Sequence, residues 1–375
     1  MDRNFGLDIV RAIAILVVVE QHGRSIIGPV FPAINRLGAT DGVDIFFVLS
    51  GFLIGGILLK SFYEDSVFDV RKYVNFLTRR WLRTLPNYYL ALLVNLAVAL
   101  VSTNLGGFTP AYFCFLQNFI PPFSDHRFFS ESWSLSIEEW FYLVFPMAML
   151  FFVLLRRKAS KDLFLLCHIT LFIAALTAMR YASYVHFTHH GGIIDNTTWN
   201  THFRCVVLMR LDSIAVGVLG AFISRRFPLL WQNQSFRSVT FAAGLVAVTA
   251  LDRTAILSGR LRDPFFNCVL YFPLYSMGVL LLFPMLSSLQ KRPQSPVGNG
   301  IETISKISYS MYLCHNSLIV QPLAGFIAGK PLPAVVAAYF GYWAAVLLVS
   351  YAVYKCYEKP ILLWRDRKVP ALRLP

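Results

Sequence analysis

Long apolar stretches separated by short polar segments make up most of the chain. A helix needs about 20 mostly apolar residues to cross the hydrocarbon core of a bilayer. The pattern therefore predicts an all-α, polytopic membrane bundle of about ten transmembrane helices. The predicted spans lie at 7–28, 43–60, 86–104, 134–154, 163–184, 205–224, 238–252, 265–285, 305–328 and 333–355.

The distribution of basic residues predicts the orientation of these spans. Lys and Arg are enriched in the cytoplasmic segments of membrane proteins. With the N-terminus inside, and with residues near the span ends counted in the adjoining segments, 23 of the 34 basic residues fall in inner segments, 8 in outer segments and 3 deeper within spans. We therefore expect both termini to be cytoplasmic, with a transmembrane domain at 1–360 and a short cytoplasmic tail at 361–375.

Composition narrows the class of protein further. Hydrophobic residues make up 56% of the chain, charged residues 14%, and the mean hydropathy is +0.57. Soluble domains carry about 25% charged residues, so a soluble enzyme, a coiled coil or a disordered chain is excluded. The net charge of +14 would suggest nucleic acid for a soluble protein. Here it indicates topology and contact with anionic membrane lipid instead.

The first predicted span carries a polar stripe. An ionisable residue inside a membrane is costly unless it is paired or hydrated, so each is a candidate for function. Asp8 and Arg11 are three residues apart and can pair on a helix. Arg11 and His22 share one helix face, about 16 Å apart along the axis. His22 is a candidate general base, and the alternative is a buried histidine satisfied by a neighbour.

The segment LTRRWLRTLP places Arg79, Arg80 and Arg83 at the expected cytoplasmic entrance of the third span. Guanidinium groups bind phosphate in a bidentate geometry, which favours a site for a phosphate-bearing cytoplasmic ligand. The alternative is an ordinary basic flank that contacts lipid phosphates. The spacing of Arg80 and Arg83 lets both face the same way on a helix.

The segment SESWSLSIEEWFYLVFP, residues 130–146, opens the fourth predicted span. Ser134 is a candidate N-cap, with Glu138 and Glu139 in the early turns, where negative charge is favourable. Capping explains part of this pattern. Two adjacent carboxylates at the start of a span exceed what capping requires, so one of them is a candidate to orient or deprotonate a catalytic group.

Three more polar positions lie inside predicted spans. Arg210 and Asp212 are two residues apart and point to different faces, so we expect each to have a partner on another helix. His315 in the ninth span is interpreted as a hydrogen-bonded core histidine. No spacing of His and Cys residues indicates a metal site.

The segment GVDIFFVLSGFLIGG, residues 42–56, combines a charge with small residues. Asp44 enters the second span and is another candidate site residue. Small residues let membrane helices approach closely. This packing role is expected for Ser50, Gly51, Gly55 and Gly56.

These segments together resemble the acyltransferase 3 family of integral-membrane acyltransferases. They occur in the family's order and cover most of the chain. The matching stretches are LDIVRAIAILVVVEQH at 7–22, GVDIFFVLSGFLI at 42–54, RRWLRTLP at 79–86, WSLSIEEWFYLVFP at 133–146, RLDSIAVG at 210–217 and ISYSMYLCH at 307–315.

The resemblance implies roles for particular residues. The histidine that the family regards as catalytic corresponds to His22, and the arginine of the same motif to Arg11. The RxxR motif corresponds to Arg80 and Arg83. The positions that match the family's SLSxEE motif are Ser134, Ser136, Glu138 and Glu139.

The resemblance also implies a reaction. The donor is acyl-CoA on the cytoplasmic side, used as a co-substrate with no bound cofactor, and the acyl group is expected to be acetyl. The acceptor is a hydroxyl of a saccharide or glycoconjugate. In this hypothesis His22 is the base, and either Glu139 or Asp8 and Arg11 are the orienting groups; an acyl-histidine intermediate is the variant mechanism. We expect a stand-alone form without an extra extracytoplasmic domain, in a bacterial inner membrane.

Two other classes of protein are alternatives to a membrane acyltransferase. A transporter or flippase for a glycoconjugate or an anionic metabolite also carries intramembrane charges and glycines, although the inverted repeat typical of transporters is not visible. A non-catalytic membrane sensor or scaffold is the third class.

Overall fold

The structure is a computed structural model of the 375-residue chain. It describes residues 4–36, 41–64, 69–103, 105–123, 128–155, 160–255 and 263–369. Most of these residues are helical, and no β-strand occurs among them. The all-α class predicted from the apolar pattern is confirmed.

Fifteen α-helices lie within the described ranges. They are α1 Phe5–Ile27, α2 Gly42–Glu64, α3 Val70–Val101, α4 Ser132–Leu155, α5 Lys161–His189, α6 Asn196–Trp199, α7 Val207–Arg226, α8 Pro228–Gln232, α9 Gln234–Ala255, α10 Tyr271–Leu280, α11 Phe283–Leu286, α12 Pro296–Cys314, α13 Gln321–Ile327, α14 Leu332–Val353 and α15 Lys359–Lys368. Shorter elements connect several of them. They are the 3₁₀ helices Pro32–Arg36 and Pro110–Cys114 and the π-helical segments Asn200–Arg204, Phe266–Leu270, His315–Val320 and Tyr354–Glu358.

Eight helical stretches within the described residues are long and apolar enough to cross a membrane. They coincide with eight of the ten predicted spans. The first and ninth predicted spans are also helical, as α1 and as the run from α12 through α13. α1 is not one of the eight because Asp8, Arg11, Glu20 and Arg24 place at least three charges in each of its 18-residue stretches. The count of ten spans and the cytoplasmic placement of both ends stay predictions.

α3 begins earlier than the sequence indicates. The predicted third span starts at 86, whereas the helix starts at Val70, where Asp69 caps it by accepting a hydrogen bond from the Lys72 amide at 2.9 Å. The helix runs through Pro86 without interruption. Arg80 and Arg83 therefore lie on a continuous helix, and their spacing puts both on one face.

α2 and α7 pack against each other more extensively than any other pair of helices, and glycines permit this contact. A Cβ at Gly51 would lie 1.9 Å from the Ile214 carbonyl oxygen, and one at Gly217 would lie 2.1 Å from the Val48 carbonyl oxygen. Only glycine fits where two helix backbones meet this closely.

The packing role predicted for the other two glycines of α2 holds for one of them. A Cβ at Gly55 would lie 2.9 Å from Val218 Cα, so this glycine also faces α7. The prediction is wrong for Gly56, because a Cβ there would meet no atom within 4 Å. Adjacent residues on a helix point about 100° apart, so Gly56 turns away from the contact.

Buried ion pairs connect α7 to the helices on either side of it. Arg180 Nη2 of α5 lies 2.6 Å from Asp212 Oδ2, and both side chains are fully buried. Arg210 donates to Asp44 of α2, and these two side chains are fully buried as well. The expectation that Arg210 and Asp212 find partners on other helices is confirmed.

The glycine contact gives a stability prediction. Gly51→Ala forces α2 away from α7, and overpacking of a tight core costs about 1–3 kcal/mol. We expect a lower midpoint of thermal unfolding for the detergent-solubilised protein. Gly56→Ala is the matched control on the same helix and should unfold at or above the wild-type temperature, because a Cβ there meets no atom and alanine favours the helix. Equal midpoints for Gly51→Ala and wild type would contradict the close approach of α2 and α7.

Candidate active site

A cavity opens between α1, α2, α3, α4 and α12, near the N-terminal end of α1. It encloses about 700 Å³ of space, part of which is continuous with solvent. We call it the arginine cavity because three guanidinium groups lie in its wall. Its lining residues are Arg11, Val43, Phe46, Phe47, Leu49, Ser50, Leu53, Arg80, Arg83, Thr84, Ser134, Leu135, Glu138, Ser308, Tyr309 and Tyr312.

Arg80 is held in a network with Glu138. The Arg80 guanidinium lies 3.6 Å from Glu138 Oε2, donates to the Tyr142 hydroxyl and sits 4.4 Å from the Tyr142 ring centroid. Tyr142 in turn donates to Glu138 Oε2 at 2.6 Å, and Ser50 donates to Oε1 at 2.8 Å. Both carboxylate oxygens are therefore occupied, and Glu138 fixes the position of Arg80.

Arg83 differs from its two neighbours in having no such partner. No described residue forms a hydrogen bond or an ion pair with its guanidinium, although Arg83 lines the cavity. Arg79 points elsewhere: it lies 2.9 Å from Asp366 and donates to the Val369 carbonyl at the end of α15. The structure thus brings Arg80 and Arg83 together and places Arg79 outside the arginine cavity.

Arg11 enters the arginine cavity from α1. Its Nη1 lies 3.5 Å from Asp8 Oδ1 and donates to Ser305 Oγ at 3.3 Å. Ser305 Oγ donates to Asp8 at 2.7 Å, which connects α1 to α12. The ion pair that the spacing of Asp8 and Arg11 predicts is therefore present.

The other residues of the acidic motif have different surroundings. Glu139 is buried, does not line the arginine cavity, and accepts a hydrogen bond from Thr84 Oγ1 at 2.7 Å. Ser134 is not an N-cap, because α4 begins at Ser132 and Ser134 lies inside the first turn. Its Oγ is 2.6 Å from the Tyr312 hydroxyl. Ser136 accepts from Gln117 Nε2 at 2.7 Å.

A second cavity lies toward the C-terminal end of α1; its space of about 720 Å³ is partly continuous with solvent. We call it the histidine cavity because His22 lies in its wall. Its lining residues are Val18, Gln21, His22, Val43, Phe123, Ser130, Glu131, Trp133, Asn200, Arg204, Cys205, Tyr312 and Asn316. Val43 and Tyr312 line both cavities, so these two side chains form the boundary between them.

His22 is packed against a second histidine. The His22 Nδ1 atom lies 2.9 Å from the Val18 carbonyl oxygen and 3.1 Å from His315 Nε2. The two rings meet edge to face, with centroids 4.8 Å apart. His315 is the buried, hydrogen-bonded histidine that the sequence predicts, but its contact with His22 is not visible in a sequence.

Sequence reasoning also missed two charged groups of the histidine cavity. Arg204 Nη2 lies 2.9 Å from Asp41 Oδ2, and its guanidinium sits 4.8 Å from the Trp133 ring centroid. Burial raises the pKa of Asp41, but Arg204 and Arg210 outweigh burial, so the pKa lies below its usual value. The sequence does not reveal this pair, because Asp41 and Arg204 are 163 residues apart and precede two different helices, α2 and α7.

Glu131 is the other missed group, one residue ahead of α4. It accepts from the Ser317 hydroxyl at 2.7 Å and from the Ser317 amide at 3.3 Å. Burial raises the pKa of Glu131 to about 7, although hydrogen bonds from Ser317 and Ser130 act in the opposite direction. The only signal in the sequence is its place beside the SLSxEE motif.

The predicted candidates Asp44, Arg210 and Asp212 line neither cavity. Their carboxylates and guanidinium are used in the buried pairs that connect α2, α5 and α7. Their position explains how charged side chains are accommodated in the bundle, and it indicates a structural part rather than contact with a substrate.

The fold and the two cavities define an integral-membrane helical bundle with a polar site in its interior. A sequence model of the family described as "Acyltransferase domain" matches residues 4–355. The chain therefore belongs to this family of acyltransferases, as the sequence motifs predict.

Individual relatives agree with the family match. The chain is 26% identical over 395 aligned residues to "Putative O-acetyltransferase SAR0937" of Staphylococcus aureus strain MRSA252, covering 97% of this chain and 59% of that protein. It is 24% identical over 352 residues to "O-acetyltransferase OatA" of Staphylococcus aureus strain NCTC 8325, covering 87% of this chain and 52% of that protein. The chain thus spans little more than half the length of these relatives. No solved structure shows a significant match.

The raised pKa of Glu131 predicts a pH dependence of stability. Its ordinary value is 4.5, so between pH 4.5 and about 7 the folded protein holds a proton that the unfolded chain releases. The free energy of unfolding therefore falls as the pH rises through this window. Glu131→Gln, which keeps an acceptor for Ser317, removes this fall.

The check is the midpoint of thermal unfolding in detergent at pH 5 and pH 8. We expect the midpoint of Glu131→Gln minus that of wild type to be more positive at pH 8. A difference that is the same at both values would show that Glu131 is already ionised in the folded protein.

Proposed function

We propose that the chain transfers an acetyl group from acetyl-CoA to a hydroxyl of a saccharide or glycoconjugate acceptor in the cell membrane. The observation that carries this proposal is the pair of cavities that adjoin at Val43 and Tyr312. One cavity presents an arginine that forms no hydrogen bond or ion pair with a described residue, and the other presents an imidazole. A phosphate-bearing thioester and a hydroxyl need these two groups in adjoining sites.

The arginine cavity suits the CoA part of the donor. CoA carries several phosphate charges, and guanidinium groups form charge-assisted hydrogen bonds with phosphate oxygens. Arg83 offers a free set of donors, whereas Arg80 and Arg11 add positive charge while they stay fixed by Glu138 and Asp8. The thioester arm then extends past Phe46 and Phe47 toward the boundary at Tyr312.

His22 suits the role of general base. A neutral imidazole has one N–H and one lone pair, and the neighbour of one nitrogen decides which is which. The Val18 carbonyl lies 2.9 Å from Nδ1, so Nδ1 carries the hydrogen and Nε2 carries the lone pair. No described residue hydrogen-bonds Nε2, which leaves it available to a substrate in the histidine cavity.

The reaction balances with His22 alone as the proton carrier. Nε2 takes the proton of the acceptor hydroxyl as the oxygen attacks the thioester carbonyl carbon. The carbon–sulfur bond then breaks, and the CoA thiolate receives the proton from His22. The variant with an acyl-histidine intermediate needs the same lone pair on Nε2, which in that case attacks the carbonyl carbon.

The histidine cavity has the composition of a saccharide site. An aromatic face packs against the apolar face of a sugar, and side-chain amides hydrogen-bond hydroxyl groups. The cavity offers Trp133 for the first contact and Gln21, Asn200 and Asn316 for the second. The names of the relatives support oxygen as the acceptor atom, since both describe O-acetyltransferases.

Three predicted orienting groups act at a distance from His22 in this proposal. The hydrogen bonds of the His22 ring are to Val18 and His315, not to Asp8, Arg11 or Glu139. Asp8 and Arg11 shape the arginine cavity and contribute to donor binding. Glu139 holds α4 against Thr84 of α3 and so keeps the Arg80–Glu138 network in place.

Substitution of His22 tests the assignment of the base. Loss of a general base costs about 10²- to 10⁴-fold in rate. We expect His22→Ala to lose this much kcat for acetyl transfer from labelled acetyl-CoA, while the Kd for acetyl-CoA stays within about twofold. His186→Gln, at an exposed histidine of α5, is the control and should keep wild-type kcat. Wild-type transfer by a well-folded His22→Ala would contradict the mechanism.

A pair of arginine variants tests the donor site. A hydrogen bond to a charged group contributes about 1.5–3 kcal/mol, and 1.4 kcal/mol corresponds to tenfold in affinity. We expect Arg83→Gln to weaken acetyl-CoA binding about tenfold, measured by calorimetry. Arg79→Gln removes the same charge four residues away and should leave the Kd unchanged. Equal effects of the two variants would indicate a diffuse charge effect instead of a site.

A further inference from the structure

We propose that His315 is a positioning residue for His22: its Nε2 accepts the His22 Nδ1 hydrogen and so holds the His22 ring with its basic Nε2 toward the histidine cavity. This inference rests on the proposed function, because it assigns His315 a part only if His22 is the base. It starts from the 3.1 Å contact between His315 Nε2 and His22 Nδ1.

The surroundings of His315 determine where its hydrogen lies. Its Nδ1 is 2.8 Å from the Tyr312 carbonyl oxygen and 3.2 Å from the Met311 carbonyl oxygen. Both neighbours are acceptors only, so Nδ1 must carry the hydrogen. A neutral imidazole has one N–H, and Nε2 of His315 is therefore a lone pair.

The hydrogen-bond neighbours of the two rings require compatible tautomers. His22 Nδ1 faces the Val18 carbonyl and the His315 lone pair, and both require a hydrogen on Nδ1. Any other pair of neutral tautomers places a lone pair against a carbonyl oxygen or against the second ring. Two backbone acceptors on α12 and one on α1 thus select a single arrangement of hydrogens across both histidines.

The local backbone explains why His315 holds its place. The residue lies where α12 gives way to the π-helical segment His315–Val320, and its side chain is fully buried. The carbonyls that bind its Nδ1 belong to the last turn of α12. π-Helical segments are rare and often lie at functional sites.

The arrangement also helps during the reaction. When His22 takes the acceptor proton on Nε2, the ring becomes a cation, and its Nδ1–H becomes a stronger donor to the His315 lone pair. A hydrogen bond to a charged group is worth more than one to a neutral group. No proton has to leave Nδ1, so the proton on Nε2 passes to the CoA thiolate.

Two substitutions separate this role from simple packing. His315→Leu fills similar space without an acceptor, whereas the Oε1 atom of His315→Gln stands near the position of Nε2 and accepts a hydrogen bond. Removal of an orienting partner costs about 10- to 100-fold in activity. We expect His315→Leu to lose this much kcat for acetyl transfer with an unchanged KM for acetyl-CoA, and His315→Gln to recover a large part of the loss.

The same substitution in a second background tests whether His315 acts through His22. In the His22→Ala protein, His315→Leu should cause no further loss of residual transfer. An additional loss there, equal losses for His315→Leu and His315→Gln, or a raised KM would overturn the inference, as would wild-type kcat in His315→Leu.

The outcomes distinguish the two proposals. If His22→Ala abolishes transfer and His315→Leu does not, only the positioning role fails. If His22→Ala retains full transfer, the assignment of the base fails first. Unfolding midpoints of all variants are measured in parallel, and His315→Gln carries the test if His315→Leu does not fold.

Discussion

The fold depends on one constraint: an ionised side chain inside an apolar bundle must have a partner. The chain meets this constraint by using its scarce charges in pairs that connect helices. Arg180 with Asp212 and Arg210 with Asp44 attach α5 and α2 to α7, and the glycine contact at Gly51 and Gly217 brings α2 and α7 together. α7 is accordingly the most buried of the membrane-capable helices.

The same constraint separates the polar groups that hold the structure from those that face a cavity. Arg80 and Arg11 are paired, yet their guanidinium groups still line the arginine cavity. Arg83 forms no hydrogen bond or ion pair with a described residue, and the Nε2 atom of His22 forms no hydrogen bond with one either. These two groups lie in different cavities, which adjoin at Val43 and Tyr312. The proposed reaction uses this division. The donor is anchored on one side of the boundary, and the acceptor is deprotonated on the other side.

The sequence predicts the helices and the need for buried charge pairs, but it does not identify most of the partners. Helix periodicity predicts that Asp8 pairs with Arg11 and that Arg210 and Asp212 face different neighbouring helices. Each of these predictions needs only the spacing of two residues within one helix. The contact of His22 with His315 joins residues 293 positions apart and depends on how α1 and α12 pack. The same holds for Asp41 with Arg204. The predictions of Ser134 as an N-cap and of Gly56 as a packing position are wrong. A local pattern determines neither the first residue of a helix nor the side on which a neighbouring helix packs.

A structure with a bound, non-transferable acetyl-CoA analogue tests the account most directly. The account predicts the nucleotide phosphates at Arg83 in the arginine cavity, the arm passing between Val43 and Tyr312, and the carbonyl carbon on the side of His22 Nε2. An analogue bound outside the arginine cavity would contradict the account. So would an analogue in a fully closed site whose carbonyl carbon is separated from His22 by Tyr312.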